Sequence, residues 1–308
     1  VLVRRYPSVP VCRDVELPEV TVIVPAYNEG ESVLETLRTI ACSRYPAEKL
    51  HIVGVDDGSM DDTWSWMKKA ADELGDRVEI VHCPVNRGKR HALHEGFLLS
   101  KGEVIVTIDS DSVVPPDTLR RLVSAFRQDP KVGAVAGNVC IWNRKQGLIP
   151  RMLDVSFTYS FDFIRASQSA VHTVMCTPGA LSAYRREIVL NVLPQWIGQK
   201  FLGRPANIGE DRAMTNLILR SGYHVLYQKD AVVYTKVPTT YNKLWKMFLR
   251  WARSNLRETL VMCGFVFRKF RSTPMAGARI NFMAHSLNLF LVQVLRIETV
   301  ACLFASPI

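Results

Sequence analysis

The run Val104–Asp111, Val-Ile-Val-Thr-Ile-Asp-Ser-Asp, constrains this chain more than any other stretch. Five consecutive apolar or β-branched residues lead straight into two carboxylates one residue apart. A short run of this kind suits a strand buried on both faces, as in a parallel sheet. Open α/β sheets bind ligands at the C-terminal ends of their strands, which is where Asp109 and Asp111 fall. An Asp-x-Asp there suits a hard divalent cation that also holds a diphosphate, because Mg²⁺ takes one or two carboxylates plus phosphate oxygens. Alone, the tripeptide reads more simply as a loop of solvated aspartates, so its surroundings decide.

Those surroundings alternate strand and helix four times. Strands are predicted at Val20–Val24, Leu50–Val55, Val78–His82 and Val104–Ile108. Helices follow at Glu31–Ile40, Trp64–Leu74, His91–Leu99 and Pro115–Phe126. Asp61 and Asp62 favour the second helix start by capping and by the helix dipole. The pattern predicts an α/β fold with a mainly parallel, doubly wound sheet and flanking helices. Residues 1–18 form a polar, proline-punctuated leading segment, residues 19–240 the α/β domain, and residues 241–308 amphipathic helices at the approach to a membrane region. Beyond a strand at Val132–Ile141, the aromatic-rich stretch Leu148–Gln168 reads as one long helix. Its main expected role is core packing, with membrane-surface contact second. A turn centred on Gly179 leads into Leu181–Arg185. A helix is expected at Ala213–Arg220, one or two strands at Val225–Tyr234, and a further helix at Tyr241–Glu258.

Three loops on the same predicted sheet edge carry like chemistry: Tyr27–Glu29, Asp56–Ser59 and Asp109–Asp111. Gly88-Lys89 adds a cation and free backbone at a helix start, a ready anion site. Neither GxGxxG nor GxxxxGK[ST] occurs, which argues against dinucleotide and P-loop binding. Carboxylates can hold a base edge and a ribose, while a metal and a lysine hold phosphates, so the set fits a nucleotide-diphosphate ligand. Asp211, at the start of a helix, reads by itself as a cap. Lys246, Arg250, Arg253 and Arg257 recur at spacings of four, three and four, which places four cations on one helix face. Arginine can engage phosphate oxygens bidentately.

The net charge is +10, and nine Lys/Arg face one acid, Glu258, between Lys236 and Arg271. Such a balance suits an anionic membrane surface or a phosphorylated substrate. No nucleic-acid motif accompanies it, and a nucleic-acid binder would set these acids against phosphates. The seven cysteines are scattered, with no CxxC, so neither zinc nor a disulfide framework is expected. Cys176, without a neighbouring His or Asn motif, is taken as a packing thiol. No secretory signal is visible at the N-terminus, where Arg4, Arg5 and Pro7 stand in place of an apolar core.

Assembled in order, Val24-Pro25-Ala26-Tyr27-Asn28-Glu29, Asp56-Asp57-Gly58-Ser59, Gly88-Lys89, Asp109-Ser110-Asp111, Gly209-Glu210-Asp211-Arg212 and Arg250-Trp251 resemble the family 2 glycosyltransferases of GT-A fold. The likeness runs from about Val20 to Glu258. The stretch from Phe161-Asp162 to Gln168-Ser169, Val174-Met175-Cys176, Tyr184-Arg185 and Arg250-Trp251-Ala252-Arg253-Ser254 resemble in particular the membrane-embedded hyaluronan, chitin and nodulation-factor chitooligosaccharide synthases. The resemblance implies inverting transfer of a sugar, best taken as N-acetylglucosamine, from a UDP-sugar to a glycan hydroxyl. It implies that Asp57 and Glu29 hold uridine with Pro25 and Tyr27 beside the base, and that Lys89 lies near the uracil or phosphates. It further implies that Asp109 and Asp111 bind nucleotide and Mg²⁺ or Mn²⁺, that Asp211 is the general base, that Arg250 stabilises the leaving diphosphate, and that Trp251 offers a face to the acceptor sugar. Where these polymer makers carry Gln-x-x-Arg-Trp, Met247 stands first, and a thioether cannot replace the amide's hydrogen bonds. Gly179-Ala180 stands where they carry Gly-Pro. Transfer of a single sugar to a lipid or short acceptor is the alternative within the enzyme class, and a nucleotide-sugar-binding scaffold the alternative outside it.

The same group implies a membrane location with the catalytic domain on the cytoplasmic face. Phe282–Phe304 is mostly apolar but carries His285, Asn288, Gln293, Arg296 and Glu298. A spanning helix needs about 20 apolar residues, and an arginine in mid-bilayer is costly. The stretch therefore reads as an interfacial helix, or as a span whose polar residues face protein.

Overall fold

A computed structural model of the chain describes residues 6 and 9–305, with side chains as far as residue 291. Arg4, Arg5, Pro7 and the side chains of Gln293, Arg296, Glu298 and Cys302 lie outside the described set. Strands β1 (Val20–Ala26), β2 (Leu50–Asp56), β3 (Val78–His82) and β4 (Val104–Ile108) alternate with helices α1 (Ser32–Ala41), α2 (Thr63–Leu74) and α3 (Lys89–Leu99). Two short helices, α4 (Thr118–Val123) and α5 (Ala125–Gln128), replace the single helix expected over Pro115–Phe126. There follow β5 (Val132–Ile141), α6 (Leu148–Thr158), a π-helical stretch (Tyr159–Arg165), α7 (Ala166–Ser169), β6 (Leu181–Arg185) and α8 (Arg186–Ile197). The chain continues through the small hairpin β7 (Lys200–Phe201) and β8 (Arg204–Pro205), then α9 (Glu210–Arg220), β9 (His224–Thr235), α10 (Tyr241–Val266) and α11 (Ala276–Ala305).

The main sheet runs β3-β2-β1-β4-β6-β5-β9. Its strands are parallel except β6, which is antiparallel to both β4 and β5. The predicted α/β architecture is therefore present, with one reversed strand between β4 and β5. Val104, Ile105, Val106 and Ile108 are buried, and β4 lies between β1 and β6, as its unbroken apolar run requires. Burying each such side chain is worth about 1.5–3 kcal/mol relative to leaving it exposed. From β1 the order steps outward to β2 and β3, then returns to β4 on the other side. The reversal opens a crevice at the C-terminal ends of β1 and β4, where open α/β sheets take their ligands.

Side-chain ties hold that edge. Thr36 Oγ1 on α1 donates within 2.8 Å of both Ser110 O and Ser112 O, bracing the loop after β4. Thr36→Val keeps the shape and strips the buried carbonyls of this partner. It is expected to cost about 1–3 kcal/mol, read as a lowered midpoint in thermal unfolding.

Three helical expectations are corrected. The long aromatic helix packs inward through Pro150, Leu153 and Phe161, but Leu148, Met152, Val155, Tyr159 and Phe163 are exposed. Its core role therefore holds for one face only. The helix carrying Asp211 begins at Glu210 rather than Ala213. The helix expected at Tyr241–Glu258 runs on as α10 to Val266, with Met262, Phe265 and Val266 buried. Among the described residues, no helix is long and apolar enough to cross a membrane.

Candidate active site

The first wall of the crevice is made by the two loops after β1 and β2. Asn28 N donates to Ser59 Oγ at 3.0 Å, and Met60 N donates to Asn28 Oδ1 at 2.9 Å. Thr63 Oγ1 accepts from Glu29 N and Gly30 N, each at 2.9 Å. Asp62 stands at the N-cap of α2 without a capping bond from its side chain, and Asp61 accepts instead from Thr63 N at 3.0 Å. Pro25 is buried inside β1 opposite Val55, while Tyr27 is 42% exposed at the rim.

The adjacent aspartates of β2 divide their work. Asp56 is fully buried and accepts from Ser59 N at 3.1 Å and from the Ser59 hydroxyl. His82 Nδ1 lies 2.6 Å from its other oxygen. Asp57 accepts from Arg87 N at 3.0 Å and Gly88 N at 2.7 Å. The backbone at the start of α3 thus receives an anion, but that anion is Asp57 itself. Of the ready anion site expected at Gly88-Lys89, the Gly88 amide is occupied from within the chain. Gly88 sits at φ +92°, a conformation that a side chain would strain.

The centre of the site is a charge cluster. Lys89 Nζ pairs with Asp109, and Glu210 Oε1 lies 3.8 Å from the same nitrogen. Lys89 reaches the strand-end carboxylate directly, which its sequence position did not reveal. Asp111 accepts from Thr235 Oγ1 at 3.3 Å. Burial, with the negative charge of Asp109, holds Asp111 above the usual carboxylate range. Burial, then the charges of Asp111 and Asp109, push Glu29 up to about 7. A Cβ on Gly179 would stand 2.8 Å from Lys89 Nζ, so the glycine brings this loop close against the pair.

Glu29 sets a pH dependence with a definite sign. Its folded pKa lies above the unfolded value of 4.5, so the unfolded chain ionises first. Stability is therefore lost as pH climbs from about 4.5 to about 7. Solvent reaches this carboxylate, and screening leaves about 1 kcal/mol of the effect. Glu29→Gln is expected to flatten the melting temperature between pH 5 and 8. A slope equal to that of wild type would refute the assignment.

Asp211 opens α9 on the far side of the cluster. Burial, then Glu210, raise its pKa, while its Oδ1 accepts from Arg212 N at 2.7 Å. Its other oxygen accepts weakly from Cys176 Sγ at 3.7 Å. Burial, then the Asp211 charge, push that thiol up to about 12, which keeps it protonated. It packs as expected, yet it also orients the carboxylate, a contact across 35 residues that no local motif announces. The six described cysteines are free.

The predicted cation face of α10 is only partly a face. Lys246, Arg250 and Arg253 are exposed, but Arg257 is 8% exposed and pairs with Glu258 at 2.8 Å. Trp251 is 36% exposed and leans on Phe157 and Phe248, with ring centroids 6.1 and 5.9 Å away. Arg250 and Trp251 thus sit on the open half of α10, and no hydrogen bond among the described residues ties them to the carboxylate cluster. Met247 packs with the apolar group Ile141, Leu153 and Val237.

Asp109 and Asp111 supply a hard oxygen donor set with too much negative charge for one lysine, which suits a divalent cation. Among the described residues no group of three His, Cys, Asp or Glu side chains forms a ready cage.

This sheet, with its carboxylates at the switch point, is the fold of the GT-A glycosyltransferases. It matches a mannosyltransferase from Pyrobaculum calidifontis, solved with GDP-Man and Mn²⁺, at a TM-score of 0.73 and 27% identity. That match covers 98% of this chain and 79% of the other. The profile described as "Glycosyltransferase like family 2" matches residues 18–254, and the chain belongs to that family. An N-acetylglucosaminyltransferase of Rhizobium meliloti is 37% identical over 246 residues, 80% of this chain and 57% of the relative. A hyaluronan synthase of Streptococcus pyogenes is 36% identical over 264 residues, 84% of this chain and 61% of the relative. The chain thus spans about three fifths of the length of these curated relatives.

Proposed function

We propose that this chain transfers a sugar from a UDP-sugar to a glycan hydroxyl with inversion, and that UDP-N-acetylglucosamine is the donor. The observation that carries the reading is the Lys89 ammonium, which pairs with Asp109 and lies 3.8 Å from Glu210, the neighbour of Asp211. One cleft therefore unites a diphosphate-type site with a carboxylate whose proton affinity is raised. Relatives named N-acetylglucosaminyltransferase support the donor.

Asp57, Glu29, Pro25 and Tyr27 bind the uridine end, on loops already locked by Asn28, Ser59 and Thr63. Asp109 and Asp111 hold Mg²⁺ or Mn²⁺, which supplies charge neutralisation to the departing diphosphate. Lys89 turns from Asp109 to the phosphates. Asp211 takes the proton of the acceptor hydroxyl as that oxygen bonds to C1 of the sugar. The C1–O bond to UDP breaks on the opposite face, which inverts the anomeric centre. Arg250 stabilises the leaving group and Trp251 offers its ring to the acceptor sugar. A raised pKa suits Asp211, because a base works best when its affinity lies near the operating pH. Met247, seated in an apolar cluster, supports transfer of a single sugar to a lipid or short acceptor as the second reading.

The test is UDP release from a panel of UDP-sugars with Mn²⁺ or Mg²⁺, with product length read by mass spectrometry. Release from UDP-N-acetylglucosamine is the expected result. UDP bound without release from any donor would favour a nucleotide-sugar-binding scaffold.

Membrane association belongs to the same proposal. Exposed Leu148, Met152 and Val155 on α6, Trp245, Phe248 and Leu260 on α10, and Ile280, Met283 and Leu287 on α11 accompany exposed Lys246, Arg250, Arg253, Arg268 and Lys269. Apolar faces beside cations suit the cytoplasmic surface of an anionic bilayer. The chain is expected to sediment with vesicles containing phosphatidylserine, and more weakly with neutral ones. Equal partitioning would remove the electrostatic part of the argument.

A further inference from the structure

The function above leaves a buried polar network unused. It lies behind Asp211, where α10 crosses α9. Glu258 is fully buried and one of its oxygens accepts from Arg257 Nε at 2.8 Å and Gln199 Nε2 at 3.0 Å. Its other oxygen accepts from Asn216 Nδ2 at 3.0 Å, and its carbonyl from the same nitrogen at 2.9 Å. Arg257 donates through Nη2 to Ile208 O, three residues before Asp211. Arg212, directly after Asp211, donates to Asn255 Oδ1 at 2.8 Å.

The same loop is gripped sterically. Gly209 sits at φ +70°, and a Cβ there would overlap the Ser254 side chain on α10. A third path closes behind Glu210. Gln199 Oε1 accepts from Arg90 Nη1 at 3.1 Å, and Arg90 Nη1 donates to Trp196 O at 2.6 Å. Trp196 Nε1 donates to Glu210 O at 2.8 Å. Arg90 is itself the residue after Lys89. Loop 208–212 is thus held from α10, α9, α8 and α3, and Glu258 is the one carboxylate of this network that joins Arg257, Gln199 and Asn216.

We propose that Glu258 is a positioning residue for Asp211: it fixes Arg257 and Asn216, and through them sets the loop that presents the base to the acceptor hydroxyl. The proposal rests on the reading of Asp211 as the base. It separates two properties that a merely structural role would lose together. The uridine wall is built by the loops after β1 and β2, locked by Asn28, Ser59, Thr63 and Asp57, none of which bonds to the Glu258 network. That network touches α3 only through the Arg90 guanidinium. Disturbing Glu258 therefore loosens the base while donor binding persists. A shift of about 1 Å in a reacting group can cost up to about 100-fold in rate.

In Glu258→Gln, kcat is expected to fall about 10- to 100-fold, while the KM for the UDP-sugar and the affinity for UDP stay within about twofold. Removing one partner of a buried pair can also prevent folding. The companion is therefore the double variant Arg257→Met with Glu258→Leu, which leaves neither charge of that pair alone. It is expected to recover the melting temperature and not the kcat. A kcat within twofold of wild type in either variant, or a kcat that returns with stability in the double variant, would overturn the assignment. So would UDP affinity that falls in step with kcat. A wild-type chain that turns over no donor would instead overturn the function itself, and that outcome is visible before any variant is made.

Discussion

Asp211→Asn is expected to lower kcat by about 10²- to 10⁴-fold, the range for loss of a positioned general base. The amide keeps the size of the carboxylate and can still accept from Arg212 N, so the start of α9 is preserved. What it loses is proton affinity. The acceptor hydroxyl then attacks C1 with its proton still attached, and water must remove it. Donor binding should change little, because the nucleotide wall stands on other loops. UDP release by the variant, set beside equilibrium binding of UDP, reads both effects. A variant within tenfold of wild type would take the base role away from Asp211. The variant also relieves a burial cost, since burial and Glu210 both disfavour the ionised Asp211. A melting temperature equal to or above that of wild type is therefore the expected accompaniment, and it separates lost chemistry from lost structure.

Asp109→Asn should have a second large effect, of a different kind. It removes the partner of Lys89 and half of the carboxylate pair. Metal and donor binding should weaken together, and kcat/KM should fall by about 10³-fold or more, since metal stabilisation of developing charge is worth several kcal/mol. Excess chelator added to wild type should reproduce the loss, and Mn²⁺ or Mg²⁺ should restore it to wild type alone. Paramagnetic broadening or calorimetry with Mn²⁺ and UDP gives a readout that does not depend on turnover. Full activity of wild type in excess chelator would refute the metal assignment.

The parts of this molecule that could be read in advance are those whose signal is local. An apolar run ending in Asp-x-Asp announces β4 and its ligand edge, because period and burial act over five residues. The strands at Val78–His82 and Val132–Ile141 were legible for the same reason. The π-helical stretch Tyr159–Arg165 was not, since a slightly wider helical period leaves no trace in seven residues. Arg257 misled because a cation at helical spacing normally faces water. What holds it inside is the Ile208 carbonyl, distant in sequence from α10, and the adjacent Glu258, which Gln199 and Asn216 tie down from outside α10. The Cys176 contact to Asp211 and the Gly179 approach to Lys89 were hidden likewise, being facts of tertiary closure. Pocket residues carried by motif order could be proposed from sequence, but their division of work could not. Asp56 and Asp57 look interchangeable in the chain, and only the fold gives one to Ser59 and His82 and the other to the start of α3.

The Lys89–Asp109 pair bears on the order in which ligands arrive. A bare divalent cation approaching this cleft meets an ammonium already seated on Asp109, one of the two carboxylates proposed to hold it, and must evict it toward Glu210. A cation that arrives already chelated to a diphosphate brings the replacement with it, since the phosphates give the lysine somewhere to go. On the proposed function, the resting protein is expected to favour the loaded nucleotide complex over the free ion. Fluctuations in cellular metal alone should leave the cleft latched, with its opening governed by the supply of activated sugar.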